Sequence, residues 1–332
     1  MIKENKRRLI CAFIFIGLVA SIIIGNNIWD PSNNSNNDAE EFPDFITENT
    51  DYFITRIGYV PIIDSNTYRL NVWGKIDDPK NFSLIELQEL DLIEQTLTTE
   101  TIGNPTNGPL VSTAVWKGFL IYDFLVSLGL DENATGVRYL AEDGYYASQT
   151  LEQLDNIGTF GALYMNGDIL PVDQGFPLRI INPGAYGAKQ PAWVVDIEII
   201  DRPLEDYWDD RGWDTSPPMA VDSRIFFPND NVNVKVDEPL RIGGTAYGGT
   251  RISKIEYTVN LGESWNQATI IQSIDADHVW IFWEINVTFD VSGTVNLFTK
   301  ATDINNNTQP MDDSIWTDGL NSWPKLIINV IS

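Results

Sequence analysis

The chain is almost without cysteine and histidine, with one of each in 332 residues, Cys11 and His278. A single cysteine excludes a disulfide within the chain, a CxxC zinc site and a CxxCH haem attachment. Basic residues are scarce too: 21 Lys and Arg stand against 47 Asp and Glu, a net charge of −26. Nucleic acid is therefore excluded as a partner, because its phosphates need a basic face. What is present is 43% hydrophobic and 11% aromatic, a globular rather than a disordered composition. At about 150 residues per domain, the length predicts two domains.

The only long apolar run is at the N-terminus. Lys3, Lys6, Arg7 and Arg8 precede LICAFIFIGLVASIII, residues 9–24, and Trp29 stands where an interfacial aromatic would. As a helix this run spans ~24 Å at ~1.5 Å per residue, a little short of a ~30 Å hydrocarbon core unless Ile28 and Trp29 extend it. No small-residue cleavage site follows. Residues 1–29 are thus read as a signal anchor, a single transmembrane helix with a cytoplasmic N-terminus and extracytoplasmic domains in a cell membrane. Cys11 is then a small apolar residue of that helix. Arg7-Arg8-Leu9-Ile10 weakly resembles a twin-arginine export signal and reads more simply as an ordinary positive leader. Residues 30–50, rich in Asn, Asp and Glu, read as a polar, flexible stalk. Sequons at Asn33, Asn81, Asn133, Asn286 and Asn306 suit an exported chain.

Residues 51–215 mix short strands with short helices, an α+β pattern. Residues 68–73 alternate as a strand. Ser83 and Glu86 have capping-box spacing ahead of Leu84, Leu87 and Leu90 on one helical face. Residues 119–128 read as a second helix stopped by Gly129. Residues 178–181 and 193–197 read as buried strands flanking a loop of Pro and Gly, a natural ligand site. From 216 to 332 the pattern is strands alone. Val279, Ile281, Trp283, Ile285, Val287 and Phe289 alternate strictly, and 254–259 does so up to a turn at Gly262, which together indicate an all-β sandwich. With no second histidine, His278 reads as a surface residue opening a strand.

An ordered set of segments resembles the sulfite oxidase family of molybdopterin enzymes: Ile102-Gly103-Asn104-Pro105, Ala114-Val115-Trp116-Lys117-Gly118, Asp143-Gly144-Tyr145, Met165-Asn166-Gly167, Gly175-Phe176-Pro177-Leu178-Arg179, Pro183-Gly184-Ala185-Tyr186-Gly187-Ala188-Lys189, and Trp208 with Gly212-Trp213. Beyond them, Lys254-Ile255-Glu256-Tyr257, Gly262-Glu263-Ser264-Trp265, Trp280 with Trp283, and Ala301-Thr302-Asp303 resemble that family's immunoglobulin-like domain, which often mediates dimerisation. The resemblance implies a sulfite-oxidase-type molybdopterin-binding domain over 51–215 and an immunoglobulin-like sandwich over 216–332.

It also implies a molybdenum–molybdopterin cofactor. Arg56, Arg179 and Lys189 fall on or near positions expected to hold its anionic parts. Asn104, Asp143 and Gln174 fall on motif positions around it, with Arg56 and Trp213 at the reaction centre. The family's metal-ligating cysteine has Thr101 in its place, and Cys11 is too remote to substitute. A threonine hydroxyl is a harder donor and a much weaker acid than a thiol, so any metal there would be held differently. Gln174 stands for a histidine, Ala192 for a lysine, and Trp213 for a tyrosine after a Trp-x-x-Arg stretch. Two functions stay open. One is an oxidoreductase moving an oxygen atom to or from a small oxyanion or sulfoxide and passing electrons to a separate partner. The other is a non-redox descendant that binds a small anion or a protein partner at the cell surface.

Overall fold

A computed structural model describes residues 41–332. The signal anchor, Cys11, the twin arginines and the sequon at Asn33 lie outside them. Among the described residues no helix is long and apolar enough to cross a membrane. The other four sequon asparagines are exposed.

The first half is mostly strand. One sheet runs Lys80–Phe82, Leu70–Gly74, Val194–Ile200, Gly136–Ala141, Tyr146–Thr150 in spatial order, and a second runs Leu92–Glu100, Val111–Leu120, Phe160–Met165, Asp168–Ile169, with Arg179–Ile181 also on Phe160–Met165. Leu70, Val72, Tyr139, Ile197 and Leu178 are essentially without solvent contact and form the core with Phe119 and Phe124. Three α-helices of five to seven residues complete this half, so helix is a minor part of the α+β pattern. The capping box forms as its spacing predicts: Glu86 N donates to Ser83 Oγ, and Ser83 N donates to the Glu86 carboxylate at 2.8 Å. The second helix is Ile121–Ser127, not 119–128. Phe119 and Leu120 pair instead with Gly161 and Phe160, because sheet pairing overrides their helical spacing.

The second half is a sandwich of two sheets. Asp222–Phe227, Leu240–Tyr247, Ile281–Val287 and Thr269–Gln272 form one, and Val232–Lys235, Lys325–Ile331, Gly293–Asp303, Ile252–Thr258 and Asn266–Gln267 the other. Ile281, Trp283, Ile285 and Val287 face the core between them, as the alternation requires. The opposite face is buried only at the start of that strand. Trp280 and Phe282 join Ile102, Val111, Tyr186 and Tyr247 in a cluster between the two halves. His278 belongs to this junction and is not a surface residue. It is half-buried, its carbonyl accepts from Thr98 N at 2.8 Å, and its ring occupies the space beside Gly184. Gly184 has φ +74, and a Cβ there would come within 2.6 Å of His278 Nδ1.

The stalk expected over 30–50 is docked structure from residue 42 onward. Phe42 stacks on Phe282 and meets Phe227 edge-on, with centroids at 5.2 and 4.9 Å. The Phe45 carbonyl accepts from Trp280 Nε1 at 2.9 Å. Thr47 N then donates to Thr113 O on the first half. The Asn/Asp/Glu bias masked two aromatics whose burial outweighs the flexibility of the polar residues around them. This strap ties one half to the other, so Phe42→Ala should lower the unfolding free energy by about 2 kcal/mol in urea titrations. An unchanged midpoint would show that the strap contributes nothing.

Candidate functional site

A cavity of about 450 Å³ opens in the first half. Its walls come from six segments: loop 53–58, the turn at 101–103, Asp143 with Tyr145, the pair Gln174 and Arg179, and loops 187–193 and 207–213. Thr101 follows directly on Leu90's neighbouring strand Leu92–Glu100, so the end of a strand delivers it to the cavity. Its turn closes by Asn104 N donating to Thr101 O and Thr101 N donating to Leu110 O.

Of the residues singled out from sequence, Arg56, Thr101, Asp143, Gln174, Arg179 and Trp213 all line this cavity. Asn104 and Lys189 do not. Asn104 is buried beneath the turn, where Nδ2 donates to Glu100 Oε1 at 2.9 Å and Oδ1 accepts from Leu110 N. Lys189 is spent inside the protein, with Nζ 2.7 Å from the buried Asp206 carboxylate and donating to Ser148 O. In a chain this acidic, a nearby carboxylate captures the lysine before a ligand can.

Arg179 has no such partner. It is 9% exposed, and its Nη1 donates to the Gln174 side-chain oxygen at 2.9 Å and to the Gln174 carbonyl at 3.2 Å. Its Nε has no hydrogen-bond partner, and its guanidinium lies 5.3 Å from the Trp116 ring centroid. No carboxylate among the described residues pairs with it, and burial pushes its pKa down. A buried cation with an open donor on a cavity wall is a site for an anion. Gln174 is itself oriented, since Nε2 donates to Tyr52 O at 3.2 Å.

The opposite wall is aromatic. Tyr145, Tyr207, Trp208 and Trp213 follow one another with successive centroids 5.2, 5.3 and 5.8 Å apart, the first pair tilted and the other two edge to face. Tyr145 Oη donates to Ala188 O at 2.6 Å, and burial raises its pKa well above the phenol range. Arg211 lies flat on Tyr207, 3.5 Å from the ring centroid. Asp143 accepts from Tyr145 N at 3.0 Å, and burial raises its pKa. The sequence reading missed Tyr207 and Gln190. Gln190 accepts from Thr99 Oγ1 and donates to Ala185 O, locking loop 182–190 onto the strand that carries Thr101. Neither residue stands out by type or spacing, because only the fold brings them to the cavity.

Residues 57–208 match the family model for the oxidoreductase molybdopterin binding domain, and residues 215–330 match that for the Mo-co oxidoreductase dimerisation domain. The chain is 26% identical to a sulfite oxidase of Arabidopsis thaliana, over 82% of this chain and 85% of that protein. It is 27% identical to the mitochondrial sulfite oxidase of Macaca fascicularis and 26% to an NADH nitrate reductase of Cichorium intybus. Each covers 82% of this chain, but the chain spans only 59% and 36% of those longer proteins. The fold superposes on the sulfane dehydrogenase SoxCD of Paracoccus pantotrophus with a TM-score of 0.75 at 17% identity, covering 88% of this chain and 85% of that one. With both halves matched in order and residues of several quoted motifs lining one cavity, the chain belongs to the sulfite oxidase family.

Proposed function

We propose that the protein is a membrane-anchored, extracytoplasmic oxidoreductase of the sulfite oxidase type with an atypical metal position. The observation that carries this reading is Arg179, a buried guanidinium with no counter-ion among the described residues of a chain of net charge −26. Arg179, with Gln174 orienting it, would hold an anionic group of a molybdopterin cofactor, and the aromatic wall would flank its planar ring system. When bound, that cofactor supplies two-electron oxygen-atom transfer to or from a small oxyanion or sulfoxide. Asp143, whose pKa burial raises, would exchange a proton at the oxygen not engaged by Tyr145 N more readily than a free aspartate.

The metal side fits less well. Among the described residues there is no cysteine, and no group of three or more His, Cys, Asp or Glu side chains could hold a metal ion. Thr101 is the cavity residue in the position where the family resemblance places a thiolate. The N-terminal apolar run supplies the anchor in this reading. A second copy of the chain through the sandwich and a separate electron acceptor complete it.

The absent thiol favours a second reading, a non-redox descendant that binds a small anion or a protein partner at the cell surface. Metal and pterin analysis separates the two, on protein made in a host that synthesises the cofactor. Stoichiometric molybdenum supports the oxidoreductase, and neither metal nor pterin supports the descendant. Thr101→Cys should raise molybdenum occupancy severalfold if the cavity accepts the pterin. Occupancy that stays near zero would refute cofactor binding.

A further inference from the structure

We propose that Trp316, contributed by the sandwich, is a positioning residue that holds Trp213 across the cavity mouth and thereby limits the bulk of the ligand admitted. Trp213 stands in irregular backbone directly after Gly212, which has φ +87, so no helix or strand orients its ring. Two contacts do. On the cavity side it lies over Gly103, where even an added Cβ would come within 3.5 Å of its ring. On the outer side Trp316 meets it edge-to-face, with centroids 4.8 Å apart and planes at 76°.

The loop that carries Trp316 is fastened to both sides of the mouth. Thr317 O accepts from Asp214 N at 3.0 Å, next to Trp213. Ser322 Oγ lies 2.6 Å from Thr106 Oγ1, in the loop that follows Thr101. Trp316 itself remains 42% exposed, so core burial does not account for a tryptophan there. Its remaining face covers Trp213, and the two indoles form a slot wall that the first half cannot build alone. An edge-to-face pair of this kind shifts the preference between two ring positions by up to about tenfold.

This inference rests on the reading of the cavity as an anion site, and the test keeps the two apart. The full chain, its Trp316→Ala variant and its Trp316→Phe variant are titrated with sulfate and with benzenesulfonate by calorimetry. In Trp316→Ala, benzenesulfonate should gain about tenfold over sulfate relative to the unmodified protein. Trp316→Phe, which keeps an aromatic edge, should restore the original ratio. Incorporated fluorotryptophan gives a second readout, with the Trp213 resonance identified by its loss in Trp213→Phe. That line should sharpen in Trp316→Ala as the ring becomes mobile. An unchanged ratio with sulfate still bound overturns the role of Trp316 and leaves the anion site standing. A failure of the unmodified protein to bind sulfate overturns the anion site, and this inference with it.

Discussion

Arg179→Met is expected to leave the protein as stable as before, or slightly more so, while weakening anion binding about a hundredfold. The two effects have one cause. In the ligand-free protein the guanidinium is buried, its Nε is unpartnered, and no carboxylate compensates its charge. Removing it relieves a desolvation cost and leaves behind two acceptors, the Gln174 side-chain oxygen and main-chain carbonyl, which now bond Arg179 Nη1. Methionine fills similar volume and can still pack on Trp116. A buried charge-assisted bond to an anion contributes about 3 kcal/mol, which sets the hundredfold. Thermal melting and sulfate calorimetry on the same preparations check it. A large drop in melting temperature with unchanged affinity would make Arg179 a structural residue and remove the main support for an anion site.

The second large effect concerns pH. Tyr247 Oη lies 2.8 Å from Glu100 Oε1 and 3.2 Å from Asp222 Oδ2, yet a phenol has one proton to donate. Both contacts are hydrogen bonds only if one carboxyl brings a proton of its own. Burial raises Asp222 from 3.8 to about 7, and burial followed by repulsion from Asp222 raises Glu100 well above its usual range. The folded state thus retains a proton that an unfolded aspartate releases near pH ~4. Stability from this junction is therefore complete in acid and is lost as pH rises through 7. For Asp222, a shift of about three pH units corresponds to roughly 4 kcal/mol. In Asp222→Asn, Oδ1 still accepts from Ser223 N and Gln309 Nε2, and the new amide donates to Tyr247. That variant should lose most of the fall in unfolding free energy between pH 5 and pH 8. Equal slopes in urea titrations of the two proteins would show that the pair carries no shared proton.

Some of this architecture was legible in the order of residues. Ser83 and Glu86 announce a helix start because the capping box is local chemistry, complete within four residues. The odd-numbered residues of 281–287 announce a sandwich strand because alternation is a property of the pleat. Arg179 and Thr101 were found by motif position, and both line the cavity. The same means failed at Lys189, because nothing in its neighbourhood along the chain points to Asp206 as its partner. They failed at Phe42 and Phe45 too, where a polar composition concealed two rings that another half of the molecule covers.

Local hydrogen bonding and periodicity act over a few residues, so the sequence alone determined the element types, the two-part organisation and the absence of a usable thiol from residues 41–332. Long-range contact decided the rest: which cation stays unpaired, that Tyr247 brings two carboxyls together, and that a tryptophan of the sandwich stands behind the cavity's rim. Such facts depend on which surfaces meet after folding, and no spacing along the chain encodes a meeting between residues a hundred positions apart.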